Sequence, residues 1–163
     1  MSERIHTIKN ELVSSRQHLN RILDQVGDRW DARVYSDGAA WTVRQLLTHL
    51  AISDRGQTNV VAGIAEGREV VPADFDLERY NQRSVEKRAD MTVEQARAEL
   101  AASREQLNAW LDNIDDAVLD KQGRHASLQI LSIERIMLEM MAGHERNHAD
   151  DIARVLGIDV SPV

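Results

Sequence analysis

The 163-residue chain contains 42% hydrophobic and 29% charged residues. This composition is typical of one folded domain, expected here over residues 1–163, and excludes a disordered or fibrous protein. Its net charge of -7 argues against nucleic acid as the main partner, because phosphate binding needs a concentrated basic face.

Four helices and no strand are predicted. In the first, apolar residues recur at three- and four-residue steps from Ile5 to Val26, and the helix should end near Gly27. The second should begin at a capping box formed by Thr42 and Gln45, in which the threonine hydroxyl accepts from an amide three residues on and the glutamine reaches back. The pattern therefore predicts an all-α protein.

The same T-x-x-Q signature recurs at Thr92 and Gln95 and should open the third helix. The fourth helix is predicted from near Ser127 to Gly157, with Pro162 beyond it. A long connection, roughly residues 66–91, separates the second helix from the third. Because up-down bundles use short loops, a connection of this length favours a crossover between two parallel helices.

Three histidines form the strongest candidate site. His144 and His148 are one helical turn apart, so both rings can bind one ion. His49 lies between Leu46 and Leu50 on a face directed at the core, where an unpaired ring would cost a few kcal/mol. The pattern predicts a divalent metal site, and spacing does not choose among zinc, nickel and ferrous iron. The chain has no cysteine to act as a ligand, and the other histidines are expected to be solvated: His6, His18 and His125.

The position of these histidines along their helices bears on the topology. His49 lies about 10 Å along the second helix, whereas the midpoint of His144 and His148 lies about 29 Å along the fourth, at roughly 1.5 Å per residue. The rings reach a similar depth only if the two helices are antiparallel. We therefore predict a four-helix bundle in the order up-down-down-up, with the long connection as the crossover.

Two carboxylates accompany the paired histidines. Residues 144–148 match H-E-x-x-H, in which Glu145 would be a general base, but the chain lacks the downstream ligand of a zinc protease. Glu145 could still contact water on the metal. Asp151, one turn beyond His148, could be a fourth ligand, could orient an imidazole or could be solvated.

The start of the chain is a mixed polar run, and no segment approaches the roughly 18 apolar residues of a membrane span. We therefore expect no signal peptide, no membrane association and a cytoplasmic location.

Two segments resemble the DinB-like superfamily: W-T-V-R-Q-L-L-T-H-L (Trp41 to Leu50) and G-H-E-R-N-H-A-D-D-I (Gly143 to Ile152). That superfamily includes YfiT-like metal-dependent hydrolases, bacillithiol S-transferases and the N-terminal domain of mycothiol-dependent maleylpyruvate isomerase. The resemblance covers about residues 5–157. It implies that the family's metal triad corresponds to His49, His144 and His148, that the bundle has the crossover, and that the chain forms a homodimer.

In the predicted topology several side chains share the metal's end of the bundle. Those expected to line a pocket, or alternatively to plug the bundle end, are Trp30, Tyr35, Trp41, Tyr80 and Asn81. Arg83 and Arg146 could bind an anionic group of a thiol cofactor, or could be surface charges. The family's characterised activities are largely transfers that use low-molecular-weight thiols.

The resemblance and the histidines together give a leading hypothesis. The ion would bind a thiol and lower its pKa, so that the thiolate attacks an electrophilic small-molecule substrate, with Glu145 or Asp151 accepting the proton. Two alternatives are metal-dependent hydrolysis and a non-catalytic, dimeric metal-binding module of a stress response.

Overall fold

The computed structural model describes residues 1–161, which are mainly helical. The helices are α1 (Glu3–Leu23), α2 (Val43–Ala65), α3 (Leu77–Lys87), α4 (Val93–Leu111), α5 (Ile133–Arg135) and α6 (His144–Leu156). A 3₁₀ helix covers Asp116–Asp120, and a π-helical segment, Ile136–Gly143, joins α5 to α6. Two antiparallel hairpins are formed by β1 (Arg33–Ser36) with β2 (Ala39–Thr42), and by β3 (Gln122–Arg124) with β4 (Ile130–Ser132). Pro162, expected after the last helix, lies outside the described residues.

The predicted starts of α2 and α4 are confirmed. Thr42 Oγ1 accepts from the Gln45 amide at 3.1 Å, and Gln45 Oε1 accepts from the Thr42 amide at 2.9 Å. Thr92 and Gln95 make the same pair of hydrogen bonds. Each box satisfies two amides that the first turn of a helix leaves without intrahelical partners. Helix α1 ends at Leu23, a few residues before the predicted end.

The prediction that the chain contains no strand was wrong. The strands are only three or four residues long, which is too short for an alternation of polar and apolar residues to be recognised. One signal was present in the sequence: Asp37–Gly38 is a favoured pair for a two-residue hairpin turn, and Ser36 pairs with Ala39 across it.

The long connection and the start of the last helix also differ from the prediction. Within residues 66–91 the chain forms α3, which has a single buried residue, Val85, and therefore no apolar stripe to reveal it. The last helical run begins at Ile133 rather than near Ser127, because residues 130–132 pair with β3. Leu128 is exposed and has a φ of 69°, which a helix cannot accommodate.

Four long helical runs pack together: α1, α2, α4 and the continuous run of α5, the π segment and α6. Their apolar side chains form two clusters, one around Leu12, Val61 and Leu107 and the other around Leu19, Leu47 and Leu100. None of the helices in residues 1–161 is both long enough and apolar enough to cross a membrane.

A buried polar layer lies between the two clusters, and each helical run supplies one charge to it. Arg16 Nε is 2.9 Å from Glu145 Oε1, and Arg104 Nη2 is 3.0 Å from Asp54 Oδ1. Ser15 Oγ donates to the second oxygen of Glu145 at 2.8 Å. The four charged side chains are only 5–12% exposed. The layer thus ties all four runs together at one level of the bundle.

The π segment is supported from α2. Gln57 Nε2 donates to the carbonyl of Met140 at 2.9 Å, and Gln57 Oε1 lies 3.0 Å from Nε2 of His125. The Ser127 amide donates to Nδ1 of His125, so Nε2 carries the proton and donates to Gln57. The expectation that His125 is solvated was therefore wrong, since its ring is 6% exposed and both nitrogens are bonded.

The buried His125 should make folding depend on pH. Burial, reinforced by the nearby His144, lowers its pKa to about 4 from 6.5. Above pH 6.5 both folded and unfolded chains hold a neutral ring, and as pH falls toward 4 only the unfolded chain gains the proton. This site should therefore cost up to about 3 kcal/mol of unfolding free energy between pH 6.5 and 4.

Denaturation of the metal-free protein and of His125→Asn, at pH 7 and at pH 4.5, measures that cost. The asparagine variant should be less stable at pH 7 but should lose less stability on acidification. Equal losses in the two proteins would contradict the assignment.

Candidate metal centre

The structure brings His49, His144 and His148 together. His49 comes from α2, and the other two lie one turn apart on α6. The ring centroids of His144 and His148 are 4.3 Å apart, and those of His49 and His148 are 5.2 Å apart with the rings edge to face. His148 thus lies between the other two imidazoles, although within residues 1–161 His49 is not part of the group whose ligand atoms all lie within 4.8 Å of one another. No lysine or arginine takes part in the hydrogen bonds that the rings of His144 and His148 make within the described residues.

The proton on His148 is fixed by its neighbours. The Ser36 hydroxyl donates its only proton to Asp151 Oδ2, because a carboxylate oxygen accepts. Ser36 Oγ must then accept from His148 Nδ1, which lies 2.7 Å away. Nε2 of His148 is therefore left with a lone pair. It is buried, and it has no hydrogen-bond partner within residues 1–161.

The environment keeps two of the rings neutral. Burial lowers the pKa of His49 to about 4, with a further contribution from His144. Burial likewise lowers the pKa of His148 to about 3, aided by His144 and His49. A metal ion binds neutral imidazole, so both rings are in the required state near pH 7 without first losing a proton.

A cleft of about 650 Å³ opens beside His49. The Trp41 ring packs on the His49 ring, with centroids 4.7 Å apart, and both side chains line the cleft. Helix α3 forms the opposite wall with Asn81 and Val85, and Arg33 of β1 lines it as well. Both the first hairpin and α3 were missed from the sequence, so the walls of the cleft were largely unpredicted.

Asp37 and Ser36 are the site residues that sequence reasoning missed. Asp37, in the turn of the first hairpin, has its Oδ2 2.8 Å from His144 Nε2. Asp37, His144 and His148 can each offer a ligand atom such that all three atoms lie within 4.8 Å of one another. The Asp37–Gly38 turn signal could have placed a hairpin here, but nothing local in the sequence joins it to residues 144–148.

The two predicted proton acceptors have different surroundings. Glu145 belongs to the buried polar layer, where Arg16 and Ser15 hold its carboxylate, so the structure does not support a role at the metal. The H-E-x-x-H match fails because the Glu145 carboxylate is bonded to α1 and is not free to act on water at the histidines. Asp151 reaches His148 through Ser36. Burial alone would raise the pKa of Asp151, but hydrogen bonds from Ser36 and Arg154 lower it below its usual value.

The predicted pocket residues divide into two groups. Trp41 and Asn81 line the cleft. Tyr80 is exposed and packs on Phe75, and Arg83 is exposed on α3 outside the cleft lining. Of the remaining predicted residues, Arg146 pairs with Glu11, Trp30 packs on the second apolar cluster and Tyr35 is exposed.

Ser36→Ala should weaken metal binding, because His148 would lose the acceptor that fixes its tautomer and ring orientation. Loss of such a partner typically costs 10- to 100-fold in affinity. Calorimetric titration of metal-free protein with Zn²⁺ measures the change, and Ser14→Ala, at an exposed position on α1, is the matched control. Unchanged affinity in Ser36→Ala would show that the serine does not orient the ring.

A family model described as the DinB superfamily matches residues 11–152. This chain belongs to the DinB superfamily. No curated protein matches its sequence. Among solved structures, this DinB-superfamily protein is similar to YfiT from Bacillus subtilis, which is described as a probable metal-dependent hydrolase with an unusual four-helix bundle topology. The two are 19% identical, with a TM-score of 0.69 over 98% of this chain and 91% of YfiT, a likeness that establishes the fold alone.

The side chains of this DinB-superfamily protein fit a divalent metal ion. Neutral imidazole nitrogens are common ligands of zinc, nickel and ferrous iron. The buried, unpartnered Nε2 of His148 is the observation that decides the fit, because leaving such an atom unbonded carries a desolvation cost that an ion removes. Its other nitrogen has the outer-shell contact, through Ser36 to Asp151, that metal-binding histidines usually have.

Proposed function

We propose that the protein is a metal-dependent enzyme whose divalent ion is held by His49, His144 and His148. The observation that carries the proposal is the lone pair on the buried His148 Nε2, beside two further imidazoles and a cleft. His49 lines that cleft, so a small molecule bound there would reach the ion from the side on which the site is open.

Each residue around the triad has a role in this proposal. Ser36 fixes the tautomer of His148, and Asp151 holds the Ser36 hydroxyl in place, so we assign Asp151 a positioning role. Trp41 packs on one side of His49 and limits its rotation. A bound divalent ion would supply Lewis-acid activation, lowering the pKa of a thiol or water that it binds.

The cleft suits a small substrate with both polar and apolar parts. Trp41, Leu77 and Val85 offer apolar surface, and the side-chain amides Gln45, Asn81 and Gln82 offer hydrogen bonds. We propose that the cleft binds a low-molecular-weight thiol, which loses its proton and attacks an electrophile as the thiolate. An S–C bond forms as the electrophile's leaving group departs, so the whole thiol group is transferred. Arg33, rather than the predicted Arg83, is the basic side chain placed to meet an anionic group of that thiol.

Hydrolysis is the second candidate reaction. It is favoured by the description of YfiT as a probable metal-dependent hydrolase. The same triad and cleft would serve, with water rather than a thiol as the nucleophile. The two reactions differ in what the cleft must bind, so substrates can separate them.

The histidines also support a chain topology. His49 lies near the start of α2, whereas His144 and His148 lie past the middle of the run from Ile133 to Leu156. Their rings meet most simply if α2 and that run are antiparallel, as in the up-down-down-up order, which we propose together with the homodimer implied by the family.

Two measurements test the function. Protein purified without a histidine tag should contain a single divalent ion per chain by elemental analysis, and none after dialysis against chelator. The metal-loaded protein should then consume a thiol together with an electrophile faster than it cleaves ester and amide substrates. The opposite preference would select hydrolysis, and metal-loaded protein with no turnover in either assay would favour a non-catalytic metal-binding module.

A further inference from the structure

The first hairpin holds Asp37 in a defined position. Asp37 and Gly38 form its two-residue turn, with φ angles of 52° and 79°, and Ser36 pairs with Ala39 across it. Two consecutive left-handed residues are the mark of a type I′ turn, whose twist matches that of the strands on either side. The direction of the Asp37 side chain is therefore set by the hairpin, rather than by a flexible loop.

Consecutive residues of this hairpin contact the two histidines of α6. Ser36 Oγ meets His148 at Nδ1, and Asp37 Oδ2 meets His144 at Nε2 at 2.8 Å. A carboxylate oxygen of Asp37 also lies within 4.8 Å of ligand nitrogens on both His144 and His148. Asp37 and His49 both line the cleft, so the carboxylate stands where the cleft meets the imidazoles.

We propose that Asp37 is a fourth protein ligand to the ion, a step that rests on the proposed function. The Asp37 carboxylate accepts a hydrogen bond from His144 Nε2. An ion held by His144 would take the place of that proton, and the carboxylate would then lie beside a divalent charge without its hydrogen-bond partner. Carboxylate oxygens are ordinary ligands of zinc and ferrous iron. Three neutral imidazoles do not reduce the charge of a divalent ion, whereas the carboxylate of Asp37 would offset one unit of it.

A fourth ligand from the hairpin would affect both the choice of metal and the position of the hairpin. A set of three nitrogens and one oxygen favours zinc or ferrous iron over soft cuprous ion. The hairpin would also be more strongly held in the metal-loaded protein, because Asp37 would bind the ion while Ser36 remains bonded to His148. Metal occupancy would thereby fix one wall of the substrate cleft.

Cobalt(II) is the probe, since its visible absorption reports the number and type of ligands. Metal-free wild-type protein, Asp37→Asn and Asp37→Gly are titrated with Co²⁺ in competition with a chromogenic chelator. Both replacements tolerate the left-handed turn, so the hairpin should survive, and circular dichroism with thermal unfolding verifies the fold. We expect each to weaken Co²⁺ binding at least tenfold and to change the d–d spectrum.

Glu78→Gln is the matched control. It removes another carboxylate that lines the same cleft but does not belong to the group around His144 and His148, so affinity should stay within about twofold. Wild-type protein that fails to bind Co²⁺ would overturn the proposed metal site itself. Wild-type binding with unchanged affinity and spectrum in both Asp37 variants would overturn only the assignment of Asp37.

Discussion

His148→Ala should abolish metal binding and, with it, any turnover. The substitution removes the buried Nε2 lone pair and also ends the chain of contacts from Asp151 through Ser36. Loss of an outer hydrogen-bond partner of a ligand typically lowers metal affinity roughly 10- to 100-fold. His148→Ala removes a ligand itself, so we expect a larger fall in the affinity for Zn²⁺. Calorimetry and elemental analysis of the purified variant measure the effect.

The control for this substitution is His6→Ala, at an exposed position on α1. It should keep both the metal and the activity of the wild-type protein. Circular dichroism of the metal-free proteins should show the same helix content in wild type and in His148→Ala, so that loss of metal is not loss of fold. A metal-free His148→Ala with full turnover would refute a metal-dependent mechanism.

Glu145→Gln should be strongly destabilising, although it does not change the size of the side chain. Within residues 1–161 it leaves Arg104, which is buried, and Arg16, whose side chain is 12% exposed, with Asp54 as their one remaining carboxylate partner. Breaking a buried ion pair from one side costs about 3–5 kcal/mol, because an uncompensated charge stays in a poorly solvated place. Denaturant unfolding followed by circular dichroism gives the change in free energy.

Glu139→Gln provides a comparison on the same helical run. Glu139 pairs with Arg135 one turn away, but both side chains are about half exposed, so solvent screens the pair. Its replacement should leave the unfolding midpoint nearly unchanged. Similar midpoints for the two variants would mean that the buried layer contributes no more than a surface pair.

The three histidines that we propose as ligands could be singled out in the sequence because each has a local signature. The four-residue step from His144 to His148 places both rings on one face, and the leucines around His49 show that its ring points inward. The capping boxes fixed the starts of α2 and α4 for a similar reason, since both partners are three residues apart. These two helix starts, which depend on residues within one helical turn, were predicted correctly.

Contacts between distant segments were not accessible in this way. Asp37 and Ser36 lie more than a hundred residues before the histidines they touch. Nothing in the residues around Glu145 shows that Arg16 and Arg104 would hold it, so the H-E-x-x-H pattern suggested the wrong surroundings.

The π segment before His144 separates α5 from α6, which would otherwise form one continuous α-helix. A π-helical residue advances the chain through a smaller angle than an α-helical residue, so α6 is rotated relative to the direction that α5 sets. Shortening Ile136–Gly143 by one residue would turn His144 and His148 to another side of the axis without removing either. The length of this stretch, as much as the identity of the residues, therefore determines whether His144 and His148 face Asp37 and His49.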